Sequence, residues 1–236
     1  MLHEETVVPE TLDLIKRLSA DKMLQDFALV GGTALALQLG HRRSVDIDLF
    51  GSKDFDSDMV AKHLQGTYKA EIFAVEKNGV FGWINDIKST LISHQYPMIS
   101  PLLSSDGVRM PSIDDLGAMK MHAIVNSGQR EKDFVDMYYL LEHRSLNDLT
   151  EAYSLKYPDR NATLARNAIL YHKDITRDPH LELLLRPINW KEIEARMAKA
   201  VIRPEDVFRK STAPEKKIDE RGQSIEKSQK RKGKRL

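Results

Sequence analysis

The 236-residue sequence predicts an α/β (α+β) protein: a mixed sheet with flanking helices, followed by a helical C-terminal region. Two observations carry that expectation. Short apolar runs bounded by turn residues fill the stretch from Phe27 to Ser93, as in strands, and from Pro111 onward apolar residues recur at helical spacing. An α/β half followed by an α half is the economical layering of such a pattern.

Taken in order, Leu12, Ile15 and Leu18 follow Pro9 at helical spacing and predict an amphipathic helix over 9–19, with the proline in its first turn. Phe27 to Val30 reads as a short buried strand, broken by Gly31 and Gly32. Thr33 is placed to cap the next helix, Ala34 to Leu39, which Gly40 ends. Ser44 to Phe50 predicts a strand whose alternation sends Asp46 and Asp48 to one face and Val45, Ile47 and Leu49 to the other. Further strands are expected at Glu71–Glu76, Gly79–Ile84 and Ile87–Ser93, joined by turns at Lys77-Asn78-Gly79 and Asn85-Asp86, which makes a sheet of about five strands. Ser112 and Asp115 open a helix at a spacing like that of a capping box, with Asp in place of Glu or Gln. After Ser127-Gly128, residues 130–143 form another helix with Phe134, Met137, Tyr138 and Leu141 on one face. The chain to about residue 208 is helix-rich, with turns at Tyr157-Pro158 and Asp178-Pro179. The expected organisation is a first domain over 1–145, a helical region over 146–208 and a basic tail over 209–236.

With 41% hydrophobic and 30% charged residues the composition is that of a soluble globular protein. No run approaches the roughly 20 apolar residues of a membrane span, and the first ten residues do not resemble a secretory leader. The absence of cysteine leaves only oxygen or imidazole for holding a metal, and fits a cytoplasmic location. The net charge of +1 hides an asymmetry: Arg209 to Leu236 holds 11 Lys+Arg against 4 Asp+Glu, or +7, leaving −6 upstream. A tail so poor in apolar residues is expected to be disordered, either as a solubilising terminus or as an arm attracted to phosphate backbones.

The chemistry concentrates in "GGTALALQLGHRRSVDIDLF", Gly31 to Phe50. Two carboxylates at i and i+2 on a strand point the same way, about 6–7 Å apart at their bases, and repel unless a cation lies between them. Beside a glycine turn and a helix N-terminus they form an oxygen-ligand site suited to Mg²⁺ with phosphate oxygens. The glycines let backbone amides approach a triphosphate. Taken alone, Asp-x-Asp in a strand is more often a solvated face; the combination, with Asp46 14 residues after Gly32, is what points to phosphoryl transfer.

That stretch resembles the signature of the AbiEii/AbiGii group of nucleotidyltransferase-fold proteins, the toxin half of bacterial toxin–antitoxin and abortive-infection pairs. The match runs through the glycine pair and then His41, Arg42, Ser44, Asp46, Ile47, Asp48, Leu49 and Phe50. Later motifs of the group are similar to "DDLGAMKMHAIVNSGQREKDFVDMYYLL", with Lys120 as the helical lysine and Asp133 and Asp136 in the Lys-Asp-Phe-x-Asp segment. The resemblance covers roughly residues 27–141 and implies a nucleotidyltransferase-like sheet. It implies that Gly31, Gly32 and Thr33, with Arg42 and Ser44, contact the nucleotide, that Asp46 and Asp48 bind Mg²⁺, and that Lys120 neutralises phosphate charge, with Asp133 among the catalytic residues. Read from the residues alone, Lys120 amid Met119, Met121 and Ile124 can equally snorkel from a buried helix, Asp133 and Asp136 can be solvated positions paired with Arg130 or Lys132, and His41 can be a plain loop residue.

One departure stands out. Where the group carries a third acidic residue on the strand "DIKSTLISHQYP", this sequence has Thr90, whose hydroxyl can ligate Mg²⁺ but cannot act as general base; Glu71 and Asp86 are the nearby acidic substitutes. The leading expectation is therefore a Mg²⁺-dependent enzyme that moves a nucleotide from an NTP onto a hydroxyl of RNA, foremost tRNA, or of a protein, with a cognate antitoxin as partner. The alternatives are a catalytically weak nucleotide- or RNA-binding module acting through a protein partner, and a small-molecule nucleotidyltransferase of the aminoglycoside-modifying type.

Overall fold

Residues 1–209 are described by the computed structural model; the basic tail expected from Arg209 to Leu236 lies, beyond Arg209, outside the described residues. Helix α1 (Pro9–Ala20) has its proline at the first position and buries Leu12, Leu14, Ile15 and Leu18. Strand β1 (Phe27–Leu29) is buried along its length, and α2 (Gly31–Leu39) follows at once, ending at Gly40 in the left-handed conformation. Strand β2 (Ile47–Gly51), β3 (Glu71–Glu76), β4 (Gly79–Ile84) and β5 (Ile87–Ser93) complete a five-stranded mixed sheet in the order β1-β2-β5-β4-β3. The pairing of β2 with β5 is parallel and the other pairings are antiparallel. A parallel neighbour demands a crossover, and the chain between β2 and β5 supplies it through helix α3 (Ser57–Tyr68) and the β3–β4 hairpin.

Helix α3 was not among the expected elements. Its signals are present, since the Asp56 side chain accepts from the Met59 amide at 2.9 Å and Val60, Ala61, Leu64 and Tyr68 form the buried stripe. Gly66 within it, and polar neighbours on every other face, weaken the pattern. Also unanticipated is a small hairpin of β6 (Leu103–Ser105) and β7 (Val108–Met110). It turns on Asp106 and Gly107, whose φ values of 50° and 83° suit the Asp-Gly preference of tight hairpins. From β7 the Arg109 guanidinium donates to the carbonyls of Leu24 and Phe27, each at 3.1 Å, and to that of Ser19, tying the hairpin to α1 and β1.

The helical half begins with α4 (Ile113–Asn126) and α5 (Glu131–Leu140), and continues with α6 (Leu146–Lys156), α7 (Ala162–Ala168) and α8 (Trp190–Ile202). At the start of α4 only half of the expected capping box forms. Ser112 accepts from the Asp115 amide, but the Asp115 carboxylate instead accepts from the Ile99 and Ser100 amides and from Lys156 Nζ, 2.8 Å away. Helix α4 is the axis of the molecule, touching α2 on one side and α5, α6 and α7 on the others. Its buried Leu116, Ala118, Met121 and Ile124 join both halves into one hydrophobic core.

Candidate active site

The site is built where β1 ends. Gly31 enters α2 with φ of +68°, a conformation that a side chain would strain, and a Cβ there would lie 2.6 Å from Asp48 Oδ2. At Gly32 a Cβ would strike the Arg42 guanidinium. Both glycines are thus required by the close approach of a carboxylate and a guanidinium to the backbone. The helix starts earlier than expected: Val30 is its N-cap, with no side-chain cap, and Thr33 lies inside it. Freed from capping, the Thr33 hydroxyl donates to the Asp46 carbonyl at 2.5 Å and lies 2.8 Å from Ser44 Oγ, while the Val30 amide donates to the Asp48 carbonyl at 2.8 Å. These bonds stitch residues 44–48 to the first turn of α2.

The strand begins at Ile47, not at Ser44, so Asp46 sits just before it and Val45, expected on one face with Ile47 and Leu49, is 63% exposed while those two are buried. Before the first ladder bond the pleat does not dictate side-chain direction. Even so, Asp46 and Asp48 face the same cavity, and neither forms an ion pair among the described residues. Burial, and then the neighbouring Asp46, push the Asp48 carboxyl up from its ordinary range. Thr90 on β5 is the direct parallel partner of Asp48 and lines the cavity too. Glu71, on edge strand β3, and Asp86, in the β4–β5 turn, do not line it and are exposed.

Opposite the carboxylates lies a network of charges. Asp133 and Asp136, weighed above as solvated helix positions, are 2% and 0% exposed. Asp136 Oδ1 accepts from Arg42 Nε at 2.6 Å and from His41 Nε2 at 2.7 Å; its Oδ2 accepts from Arg42 Nη2 at 3.0 Å and faces Lys120 Nζ at 2.7 Å. Lys120 also donates to Asp133 at 2.7 Å, and Arg130 to the other oxygen of Asp133 at 2.8 Å. Burial would raise the Asp136 carboxyl, but Arg42 and Lys120 outweigh it and hold it well below the usual carboxylate range. Asp136 and Asp133 outweigh burial at Lys120 and raise its ammonium, which is buried between the two carboxylates rather than snorkelling to water. His41, far from a plain loop residue, is wholly buried, and burial lowers its imidazole. Arg42 is committed on all sides: Asp136 takes Nε and Nη2, and the Arg43 carbonyl takes Nη1 at 2.9 Å. It therefore buttresses the glycine turn from behind.

The structure accordingly brings Gly31, Gly32, Thr33, Arg42, Ser44, Asp46, Asp48, Lys120 and Asp133 to the wall of a single cavity of about 470 Å³, with Asp136 directly behind it. Beyond the expected residues, Phe50, Phe81, Ile92, His94, His122 and Tyr157 line the same space. Phe50 was within reach of the alternation argument, two residues past Asp48; Tyr157, from the end of α6, carries no local signal that joins it to the sheet. Among the described residues there is no cluster of three or more His, Asp or Glu arranged to hold a metal ion; of the three carboxylates lining the cavity, Asp46 and Asp48 are the two without an ion pair there, and Thr90 is in register with Asp48.

The fold around this cavity is that of the nucleotidyltransferases. A candidate nucleotidyltransferase of Helicobacter pylori superposes with a TM-score of 0.52, at 19% identity, over 86% of this chain and 93% of its own. The JHP933 protein of the same species gives 0.52 and 19% over 86% and 90%. An uncharacterized protein of Aquifex aeolicus is 26% identical over 191 residues, 78% of this chain and 91% of its own length. The sequence profile of the family "Nucleotidyl transferase AbiEii toxin, Type IV TA system" matches residues 13–78 and 86–220. The chain belongs to that AbiEii nucleotidyltransferase toxin family and is an enzyme of nucleotidyl transfer.

Proposed function

We propose that the protein is a Mg²⁺-dependent nucleotidyltransferase that transfers a nucleotide from an NTP to a hydroxyl of RNA, with tRNA the foremost acceptor, or of a protein. It acts in the cytoplasm as the toxin of a pair with a cognate antitoxin. No helix among the described residues is long and apolar enough to cross a membrane, which is consistent with that setting. The observation that carries the reading is the pair Asp46 and Asp48, which form no ion pair among the described residues and face a cavity bordered by the Gly31 turn.

The residues suit a divalent cation. Two neighbouring carboxylates, of which Asp48 is pushed up by burial and then by Asp46, a threonine in register with Asp48, and a glycine that leaves room beside Asp48 Oδ2 make a hard, oxygen-rich donor set. Asp46 and Asp48 would hold Mg²⁺, which when bound neutralises charge on phosphate and reacting oxygens. The first turn of α2, with Gly31, Gly32 and Thr33, offers its amides and its positive dipole end to the phosphates. Ser44, hydrogen-bonded to Thr33, borders the same turn. Lys120, though shared by Asp133 and Asp136, brings positive charge to that side of the cavity, and Arg130 adds to it from the rim. In the reaction the acceptor oxygen forms a bond to the α-phosphorus as the bond to pyrophosphate breaks, and the acceptor proton leaves to solvent or a base.

A second reading is favoured by one observation, Thr90 in register with Asp48 on the cavity wall, a position from which a carboxylate could have served as base. On that reading the protein is a nucleotide- or RNA-binding module of weak activity, working through a partner. The test is incubation with each labelled NTP, Mg²⁺ and total RNA or lysate. Labelled RNA or protein with the wild type, lost in Asp46→Asn and Asp48→Asn while both variants melt no lower than the wild type does, supports the enzyme; undiminished transfer by either variant would sink the metal-site assignment.

A further inference from the structure

The cavity has two halves of different chemistry, and the carboxylates occupy only one. Following β2 and β5 past Asp48 and Thr90, the residues on the same face become Phe50, Ile92 and His94. A strand rise of about 3.3 Å per residue puts Phe50 about 7 Å, and His94 about 13 Å, beyond the polar positions. That offset is of the kind separating the phosphates of a nucleotide from its base. Across the cavity, α4 repeats the change from Lys120 to His122, and Tyr157 closes the end.

The rings are arranged as two near-parallel stacks. His122 and Tyr157 lie 4.2 Å apart between centroids with 13° between planes, and Phe50 and His94 lie 5.2 Å apart at 26°. The Tyr157 hydroxyl and His94 Nε2 are 3.2 Å apart, which leaves His94 Nδ1 as a buried ring nitrogen without a hydrogen-bond partner. Burial, and then the nearby Lys156, bring the His94 imidazole down to about 4, so this wall is uncharged at neutral pH. Within each pair the rings cover one another, and Tyr157 is buried; Phe50, His94 and His122 are only partly buried and border the open space contiguous with the carboxylates. An apolar and aromatic wall beside a polar one is the usual lining of a site for a planar heteroaromatic ligand.

We infer that the apolar end of the cavity, bordered by Phe50, Phe81, Ile92 and His122 and backed by His94 and Tyr157, is the subsite for the base of the incoming NTP, which packs against Phe50 and His122. The inference rests on the nucleotidyltransferase reading and adds to it the groups that hold the base. The terminal base of an acceptor strand has the same chemistry, so the occupant must be tested without acceptor present.

Binding of Mg²⁺ with each of the four NTPs, and of Mg²⁺ with inorganic tripolyphosphate, is measured calorimetrically on the full chain, for the wild type and for Phe50→Leu and His122→Leu. The wild type is expected to bind at least one NTP more tightly than tripolyphosphate. Each variant is expected to weaken that NTP by about 5- to 150-fold, the range for loss of one stacking contact, with tripolyphosphate unchanged. Independently of any substitution, the ring proton resonances of His94 and His122 should shift on adding NTP and stay in place with tripolyphosphate. Equal binding of NTP and tripolyphosphate by the wild type, or variants that melt and bind NTP as the wild type does, would overturn the subsite. Variants that keep NTP affinity but lose binding of a short RNA would overturn its assignment to the NTP in favour of the acceptor. Histidine shifts with a free nucleoside but no binding of tripolyphosphate would instead refute the phosphate half of the site and leave the base subsite standing.

Discussion

Replacing Asp136 by asparagine should unfold the protein far more easily while changing its shape hardly at all. Four donors converge on this one carboxylate: Arg42 Nε and Nη2, His41 Nε2 and Lys120 Nζ, at 2.6–3.0 Å, around a side chain with no exposure. Asparagine offers a single acceptor oxygen and turns an NH₂ group toward two of those donors. It also removes the charge that balances Arg42, which is 4% exposed and has no other carboxylate partner among its ion pairs. Breaking a buried pair by removing one partner costs about 3–5 kcal/mol, because the remaining charge stays buried. For a chain of this size about 2–4 °C of melting temperature accompanies each kcal/mol, so Asp136→Asn should melt about 6–20 °C below the wild type. Adding Lys120→Met to the variant removes one of the stranded charges and should recover part of the loss. The check is a calorimetric melt of the three proteins at neutral pH. A single variant that melts with the wild type would refute the account of Asp136 as the hub of the network. The pH dependence gives a second reading of the same group. Its folded value is depressed, so its contribution is fully present above the unfolded carboxylate value of 3.8 and disappears as pH falls toward the folded value. The wild type should therefore lose stability below about pH 4 more steeply than Asp136→Asn does.

Three further outcomes are expected. Thr90→Asp places a carboxylate in register with Asp48 and should tighten Mg²⁺–NTP binding and raise transfer, with up to about 10²–10⁴-fold available from a general base; calorimetry and transfer assays that show both falling in a folded variant would refute the alignment. His94 titrates at about 4 in the fold against 6.5 for the free side chain, so the unfolded chain gains the proton first and stability should fall as pH drops from about 6.5 to about 4, a decline that melts of His94→Gln should show flattened. Removing residues 210–236 should weaken RNA binding chiefly at low salt, as expected of their basic composition, with little change in melting temperature; a large fall in melting temperature would mean the segment supports the body.

The parts of the fold that could be read from the chain are those with a strong local period. The five strands of the sheet and the helices α1, α4 and α5 were anticipated because their apolar residues recur at 2 or 3.6 positions between turn residues. Helix α3 has an aspartate cap and a buried stripe, but Gly66 and the polar neighbours dilute the period. The motif from Gly31 to Asp48 was legible because its chemistry is compressed into one short segment. What that segment hides is the reason for its own glycines and arginine. Gly32 is small because Arg42 passes beside it, and Arg42 is there because Asp136, 94 residues later, holds it. Such a dependence has no signature in spacing. The aromatic wall is of the same kind: Phe50, His94, His122 and Tyr157 come from β2, the end of β5, α4 and the end of α6; the parallel register of β2 with β5 brings the first two together, and the packing of α4 on α6 the last two.

The four aspartates around the cavity separate by how the fold treats them. Asp133 and Asp136 are almost fully buried, yet each carboxylate is matched by cations at hydrogen-bond distance: Lys120 and Arg130 for the first, Arg42 and Lys120 for the second. Asp46 and Asp48 are less buried and have no such match; the Asp48 carboxyl is raised by burial and by its neighbour, while Lys120 and Arg130 reach it only as more distant, weaker influences. Sequence position does not predict the difference, since both pairs are short-spaced aspartates in family motifs. The network of three cations and two carboxylates carries one positive charge and the open pair carries two negative charges, side by side across one cavity. A divalent cation at the open pair cancels its repulsion, and the excess positive charge opposite then faces the phosphates it can stabilise. Neutralising the open pair by Asp46→Asn with Asp48→Asn should for that reason raise the melting temperature of the metal-free protein while ending transfer, the opposite of what Asp136→Asn does to stability. A double variant that melts lower than the wild type without Mg²⁺ would show that these two carboxylates belong to the structural network after all.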